Sequence, residues 1–250
     1  MRVAVLSDVH GNLPALEAVL ADVAEADVEA VVLCGDLAAG PLPNETLDRL
    51  GALPWPVHRV RGNADREMVA AFDAASAGEG PEDDPDGDGW AGRELTAAHR
   101  DTLAAPPLTL TLDVDGLGPV LFCHATPRSD TEIVLVDTPT AVYAEALAGV
   151  DVETVVCGHT HMPFDRLAGG HRVVNPGSVG MAYGPPGAYW AVLGPHVELR
   201  RTRYDGAAAA QELLARSGWP RMAEFAEENL RAQPGADEAL AFFTASARRG

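Results

Sequence analysis

Five short apolar runs in this chain each end in a side chain that can bind a metal. Val3-Ala4-Val5-Leu6 runs into Ser7-Asp8-Val9-His10, and Val31-Val32-Leu33-Cys34 into Gly35-Asp36. Val57-His58-Arg59-Val60 leads to Gly62-Asn63, Val120-Leu121-Phe122-Cys123 to His124, and Val155-Val156-Cys157 to Gly158-His159-Thr160-His161. Short apolar runs closed by turn residues read as buried strands. The pattern therefore places seven polar side chains in strand-end loops. Each is of a type that ligates transition metals, which accept carboxylate and imidazole together. If the backbone stays extended at Asp8 and His10, strand alternation points both at one ion.

The first run continues into Leu13-Pro14, with Leu16, Val19, Leu20 and Val23 at helical spacing. Asn12 is placed to cap that helix, and Pro14 suits its first turn. Strand, helix and strand within about 35 residues make a right-handed βαβ unit. Short helices follow over Pro43–Leu50 and from Arg66 to about Phe72. Residues 74–89, rich in Gly, Pro and Asp, are expected to form an acidic mobile loop, and Trp90–Leu103 is expected to return to a helix. Further on, 108–114 and 119–123 read as a hairpin. A helix over 138–148 precedes strands over 153–157, 171–174, 189–193 and 197–204. The pattern opens with βαβ units and moves to hairpins, which makes an α/β protein of two mixed sheets packed face to face with helices outside. Helices over 207–216, 219–232 and 236–247 close the chain. They define a helical extension over residues 206–250, packed on a main domain of residues 1–205.

Composition narrows the function. The net charge is −19, and all 18 basic residues are Arg. Nucleic-acid binding needs a basic footprint, so general nucleic-acid binding is excluded. No apolar run reaches the ~18 residues of a membrane span, and no leader pattern opens the chain. A cytoplasmic protein is expected. The cysteines Cys34, Cys123 and Cys157 each end an apolar run and read as small buried hydrophobes, since an odd, widely spaced set makes no disulfide framework.

Seven candidate ligands exceed the needs of one ion. Two metals sharing a carboxylate, about 3.5–4 Å apart, clamp a phosphoryl group between them. Asp36 is the natural bridge, its two oxygens facing two ions.

In order and spacing, Asp8-Val9-His10, Gly35-Asp36, Gly62-Asn63, His124 and Gly158-His159-Thr160-His161 resemble the five-motif signature of the calcineurin-like metallophosphoesterases, over residues 1 to about 200. Ser7-Asp8-Val9-His10-Gly11-Asn12 and Asn175-Pro176-Gly177-Ser178 resemble the small bacterial branch, which includes phosphodiesterases and dinucleoside-polyphosphate hydrolases. The resemblance implies a four-layer αββα sandwich and two divalent transition-metal ions, Mn first, with Fe, Zn, Ni and Co also used. It assigns Asp8, His10 and His161 to one ion, Asn63, His124 and His159 to the other, and Asp36 to both. It makes Asp36, Asn63 and His124 catalytic through metal and phosphate positioning, with a metal-bridging hydroxide as nucleophile. Asn12, Arg61, Arg66 and Arg128 are candidates for substrate binding, Arg128 first because it shares a loop with His124. Asp65 either orients a ligand or sits in a helical first turn, and Tyr183 and Trp190 are base-stacking candidates if they are not core. The implied substrate is a small phosphoester or a nucleotide, and the chain can form oligomers.

The chain departs from the signature at Ala64. Many relatives carry His after the motif Asn, which helps the leaving group depart. General acid catalysis is worth ~10²–10⁴-fold, so phosphoanhydrides, diesters and aryl esters are favoured here over alkyl phosphate monoesters. Two other readings stay open. One is a phosphomonoesterase, including a protein serine/threonine phosphatase; the other is a non-catalytic metal-binding scaffold.

Overall fold

The structure is a computed structural model, and it describes residues 1–79 and 87–247. Ten strands form two five-stranded mixed sheets. The first sheet has the order β10-β9-β1-β2-β3, built from β1 (Val3–Leu6), β2 (Ala30–Leu33), β3 (Val57–Arg59), β9 (Ala188–Leu193) and β10 (Val197–Thr202). The second has the order β4-β5-β6-β8-β7, from β4 (Thr109–Val114), β5 (Gly118–Cys123), β6 (Thr154–Val156), β7 (Phe164–Ala168) and β8 (His171–Asn175). β1 pairs in parallel with β2, with Val3 opposite Ala30 and Leu6 opposite Leu33. Parallel neighbours need a crossover, and α1 (Leu13–Ala24) supplies it.

Strand alternation sorts the core into layers. Val3 and Val5 of β1 point toward the second sheet, sharing a layer with Val32 and Cys34 of their own sheet and with Val120, Phe122, Val156 and Val174 of the other. Ala4 and Leu6 point the other way, into a layer with Leu16, Val19, Val23 and Met68. β1 is buried on both faces, which is why its sequence is apolar without a break. On the outer side of the second sheet, Tyr143 and Leu147, in and just after α6 (Thr140–Ala146), cover Val155, Cys157 and Val173. These are the four expected layers, αββα.

The boundaries differ from the sequence reading in several places. α3 runs over Asn63–Ser76, longer at both ends than expected. The single helix expected over Trp90–Leu103 is two, α4 (Gly87–Glu94) and α5 (Ala97–Ala104). Thr96 breaks it, because its hydroxyl caps α5 by accepting from the His99 N–H at 3.2 Å. The expected loop 74–89 is helical at both ends, and its centre, 80–86, lies outside the described residues. β7 has no counterpart in the sequence reading. Its run Phe-Asp-Arg-Leu-Ala has only its end residues buried, and it is held as an edge strand by pairing with β8, with Arg172 on Asp165 at 2.6 Å.

After β10, α7 (Gly206–Arg216) and α8 (Met222–Phe225) lead into a π-helical turn, Ala226–Arg231, where an unbroken α-helix over 219–232 was expected. Leu213, Met222, Phe225 and Leu230 pack on Leu42 and Leu13. α9 (Ala236–Ala247) follows. Among the described residues, no helix is long and apolar enough to cross a membrane.

Candidate metal centre

All seven candidate ligands lie where strands of both sheets end. Asp8, His10, Asp36 and Asn63 follow β1, β2 and β3 of the first sheet. His124, His159 and His161 follow β5 and β6 of the second. They gather into two groups whose ligand atoms lie within 4.8 Å of one another, Asp8 with His10 and His161, and Asp36 with His124 and His159. Asn63 joins the second, its side-chain amide 3.2 Å from His124 Nε2.

Asp8 and His10 do not converge by strand alternation. Asp8 has φ 57° and His10 φ 48°, so the extended backbone assumed from the sequence is absent. Asp36 (φ 55°), His159 (φ 66°) and His161 (φ 57°) share this left-handed conformation. Among the described residues, only one other non-glycine, Asp27, has positive φ. Such residues cost free energy and persist where the surroundings over-determine them. Here the fixing bonds are visible. The N–H groups of Asp8 and His10 donate to the carbonyls of Gly35 and Asp36, both at 3.0 Å, and Val179 and Gly180 donate back to Ser7 and Asp8. Ser178 Oγ donates to Asp8 O at 2.7 Å, and Asn175 Nδ2 to Gly158 O at 2.7 Å. The expected supporting turn over 175–178 thus braces two of the site loops.

Three histidines are fixed in the same sense. His10 Nδ1 faces Ala39 O at 3.1 Å, His124 Nδ1 faces Cys34 O at 2.7 Å, and His161 Nδ1 faces Met181 O at 2.8 Å. A carbonyl only accepts, so each Nδ1 carries the proton and each Nε2 is free to present a lone pair. Those nitrogens converge. His10 Nε2 is 3.2 Å from His161 Nε2, and His161 Nε2 is 3.3 Å from Asp8 Oδ1. Asp8 is fully buried, and its Oδ1 has no hydrogen-bond partner. A cation between these close, buried atoms would satisfy all of them, and the nitrogen–oxygen donor set suits a divalent transition metal.

Asp36 is divided. Its Oδ1 accepts from the Ala64 N–H at 2.9 Å, and its Oδ2 lies 3.8 Å from His10 Nε2 and 3.3 Å from His124 Nε2. A single oxygen therefore faces both groups, rather than one oxygen each as the sequence reading had it. The electrostatics follow. Burial opposes charge on Asp36, but His124 outweighs it and holds the carboxyl below the usual carboxylate range. Burial likewise opposes a proton on His124, yet without a cation Asp36 and Asp8 raise it to about 10, and a bound cation would take the place of that proton on Nε2. Burial and the neighbouring His124 bring His159 down to about 4.

The remaining sequence candidates divide. Asp65 is the loop organiser: its carboxylate accepts from the N–H groups of Asp36, Leu37 and Gly62 at 2.9–3.0 Å. Gly62 is required beside it, since a Cβ there would collide with the Asp36 carboxylate. Asn12 is fully buried and used twice, as the α1 cap and as donor to Gly180 O. Arg66 pairs with Asp130 at 2.9 Å, and Arg61 approaches the same carboxylate at 3.8 Å. Arg128 grips Glu132 through two nitrogens, at 2.5 and 3.0 Å. None of the three lines the cavity over the two groups, which contains Arg221 instead. Trp190 is core, 1% exposed, and donates to Thr202 Oγ1. Tyr183 stacks on His161, with ring centres 5.6 Å apart.

Residues 1–194 match the family model described as the calcineurin-like phosphoesterase superfamily domain. The chain belongs to that superfamily. As a calcineurin-like phosphoesterase it is a metal-dependent hydrolase of phosphoesters. It is 25% identical over 185 residues to the protein MJ0912 of Methanocaldococcus jannaschii, covering 71% of this chain and 69% of that one. It is 35% identical over 77 residues to the phosphodiesterase YfcE of Escherichia coli K12, a match spanning 27% of this chain and 42% of YfcE. Among solved structures, a metallophosphoesterase from Sphaerobacter thermophilus superposes with TM-score 0.73 and 27% identity, over 93% of this chain and 99% of that one. PH1004 from Pyrococcus horikoshii shares the fold, with TM-score 0.75 and 22% identity over 90% and 96% of the two chains. Arg221 on the far side of the cavity was not legible in the sequence, because this superfamily's motifs end before the helices that supply it.

Proposed function

We propose that this calcineurin-like phosphoesterase is a dinuclear enzyme that hydrolyses small phosphodiesters, with Mn as its preferred metal. The convergence of three tautomer-fixed Nε2 atoms on two buried carboxylates carries the reading. Asp8, His10 and His161 would hold one ion, Asn63, His124 and His159 the other, and Asp36 would face both. When bound, two such ions neutralise phosphoryl oxygens and make water a usable nucleophile near neutral pH.

The chain's own residues do the positioning. Asp65 fixes the Asp36 loop through three backbone N–H groups, and Ser178 and Asn175 fix the Asp8 and His159 loops. Ala64 is 5% exposed and lines the cavity beside Asp36 and Asn63, with a methyl group that donates no proton to a departing oxygen. That favours anhydrides and aryl diesters, whose leaving groups depart without a proton donor. The segment after residue 205 packs on the same core and completes one domain with it. YfcE, a relative over part of the chain, is a phosphodiesterase, which supports the diester class.

Rates of bis-p-nitrophenyl phosphate and p-nitrophenyl phosphate hydrolysis by the Mn-loaded protein test this. The diester is expected to be the faster substrate by at least tenfold in kcat/KM. A preference for the monoester would overturn the proposal in favour of a phosphomonoesterase, and inertness to both would favour a scaffold.

A further inference from the structure

The helices after residue 205 lie beyond the family-matched stretch, yet they return to the site. A cavity of about 300 Å³ has His10, Asp36, Asn63 and Ala64 as its floor. Its opposite wall comes from the C-terminal segment, with Trp219, Phe225, Glu224 and Glu228 facing the same space. The wall is fixed in place. Phe225 is buried with Leu42 and Leu213, Ser217 Oγ donates to Pro41 O at 2.7 Å, and Trp219 stacks on Trp90 with ring centres 6.3 Å apart. Glu228 sits in the π-helical turn, an uncommon conformation that recurs at functional sites and here directs this residue and Asn229 into the cavity.

The wall has a definite chemistry. Trp219 is half-buried and offers aromatic surface, backed by the buried Phe225 with ring centres 5.6 Å apart and planes tilted by 56°. Glu224 is ion-paired with Arg221 at 2.7 Å, so these two charges offset. Glu228 and Asp88 add negative charge from two sides of the same cavity. Aromatic faces beside carboxylates attract cations and repel a chain of phosphates. The volume is at the low end of the roughly 300–1,000 Å³ of ligand pockets, room for one compact group and too little for two nucleosides.

We propose that the C-terminal segment is the specificity wall of the site, and that it selects phosphodiesters whose second alcohol ends in a compact ammonium group. The phosphate would sit over the Asp and His side chains of the floor, and the cationic end would lie against Trp219 and Glu228. This rests on the phosphodiesterase reading for the reaction, but the charge preference of the wall is measurable without turnover. Dinucleoside polyphosphates rank low by the same reasoning.

Calorimetry on the Mn-loaded full chain tests it with two inert probes that share a singly charged phosphonate, choline methylphosphonate and 3,3-dimethylbutyl methylphosphonate. They share a shape and differ by one positive charge. The choline probe is expected to bind about tenfold tighter, near 1.4 kcal/mol, within the range of cation–π contacts. In a Glu224→Gln/Glu228→Gln variant the ratio is expected to fall to about threefold or less. Both glutamates are exposed, so the variant keeps its fold. Equal affinities in the native protein, or a ratio the variant does not change, overturn the proposal. Hydrolysis of the p-nitrophenyl phosphodiesters of the same two alcohols separates the two readings. A binding preference without hydrolysis of either ester sinks the phosphodiesterase reading alone, and hydrolysis of both without a preference sinks the wall alone.

Discussion

The carboxylate of Asp65 accepts the backbone N–H of Asp36 at 3.0 Å, so one aspartate holds the loop that aims another. Asp65 stands two residues after Asn63, in the first turn of α3, and it also takes the N–H groups of Leu37 and Gly62. Neither sequence alternative, ligand orienter or first-turn residue, excluded the other: Asp65 is both.

Replacing Asp65 with Ala leaves three buried N–H groups without an acceptor. An unsatisfied buried group costs ~1–3 kcal/mol, so a loss of roughly 3–5 kcal/mol is expected in urea unfolding, with a fall in kcat. Asp65→Asn retains one acceptor oxygen and should recover part of both. Equal stability of the Ala variant and the native protein would remove Asp65 from the site's support.

Gly62→Ala tests the close approach to Asp36. The added methyl must displace that carboxylate, and misplacement by about 1 Å costs on the order of 10²-fold in rate. A kcat loss of that order is expected in a protein that still folds, judged by circular dichroism. Unchanged turnover would show that the loop yields freely.

Chelation should abolish phosphodiester hydrolysis and lower Tm, because ions that bind only the folded state stabilise it. Mass spectrometry of the native-loaded protein is expected to find about two ions per chain, as a two-metal site requires. With Asp36→Asn, whose Oδ2 faces both groups, occupancy should drop toward one or less. Full occupancy in that variant would remove Asp36 from its shared position.

Glu67, one turn after Asn63, gives a pH test away from the two groups. Burial, together with the hydrogen bond it shares with Asp88, pushes its carboxyl up to about 7. The folded protein then holds a proton that the unfolded chain releases near the ordinary value of 4.5. Stability therefore falls as pH rises between those values. Glu67→Gln removes this loss, so its Tm relative to the native protein should climb from pH 4.5 to pH 8. Parallel Tm curves over that range would contradict the shift.

Ala64→His restores a proton donor at the cavity floor. General acid catalysis acts most on poor leaving groups, so turnover of alkyl phosphates should rise more than that of aryl phosphates. An equal rise in both would mean that the histidine acts by another route.

Much of the fold was legible because strand and helix periods differ and the strands of the inner layers are apolar throughout. The seven candidate ligands were legible for a related reason, since polar residues at the ends of buried strands stand out against apolar runs. The left-handed backbone at Asp8, His10, Asp36, His159 and His161 was not, because Asp and His adopt it more often than most residues but still rarely, and the surrounding hydrogen bonds impose it here. Arg128 looked like a phosphate contact by its loop, but Glu132, four residues on, lies close enough to take its guanidinium. The edge strand β7 escaped because its middle faces solvent. The wall of Trp219, Glu224 and Glu228 is a tertiary fact, brought to the cavity by α7 and α8 packing on Leu42 and Leu13.

The candidate ligands come from both sheets, and that makes the site a gauge of sheet alignment. His161 reaches Asp8, and His124 reaches Asp36, only while the second sheet keeps its position over the first. The apolar seam of Val5, Val32, Phe122 and Val174 therefore sets a distance as well as a stability. Loosening that seam would act like changing the spacing of a two-jawed clamp. Ion affinity would fall before the chain unfolds, although no residue of the site had been touched.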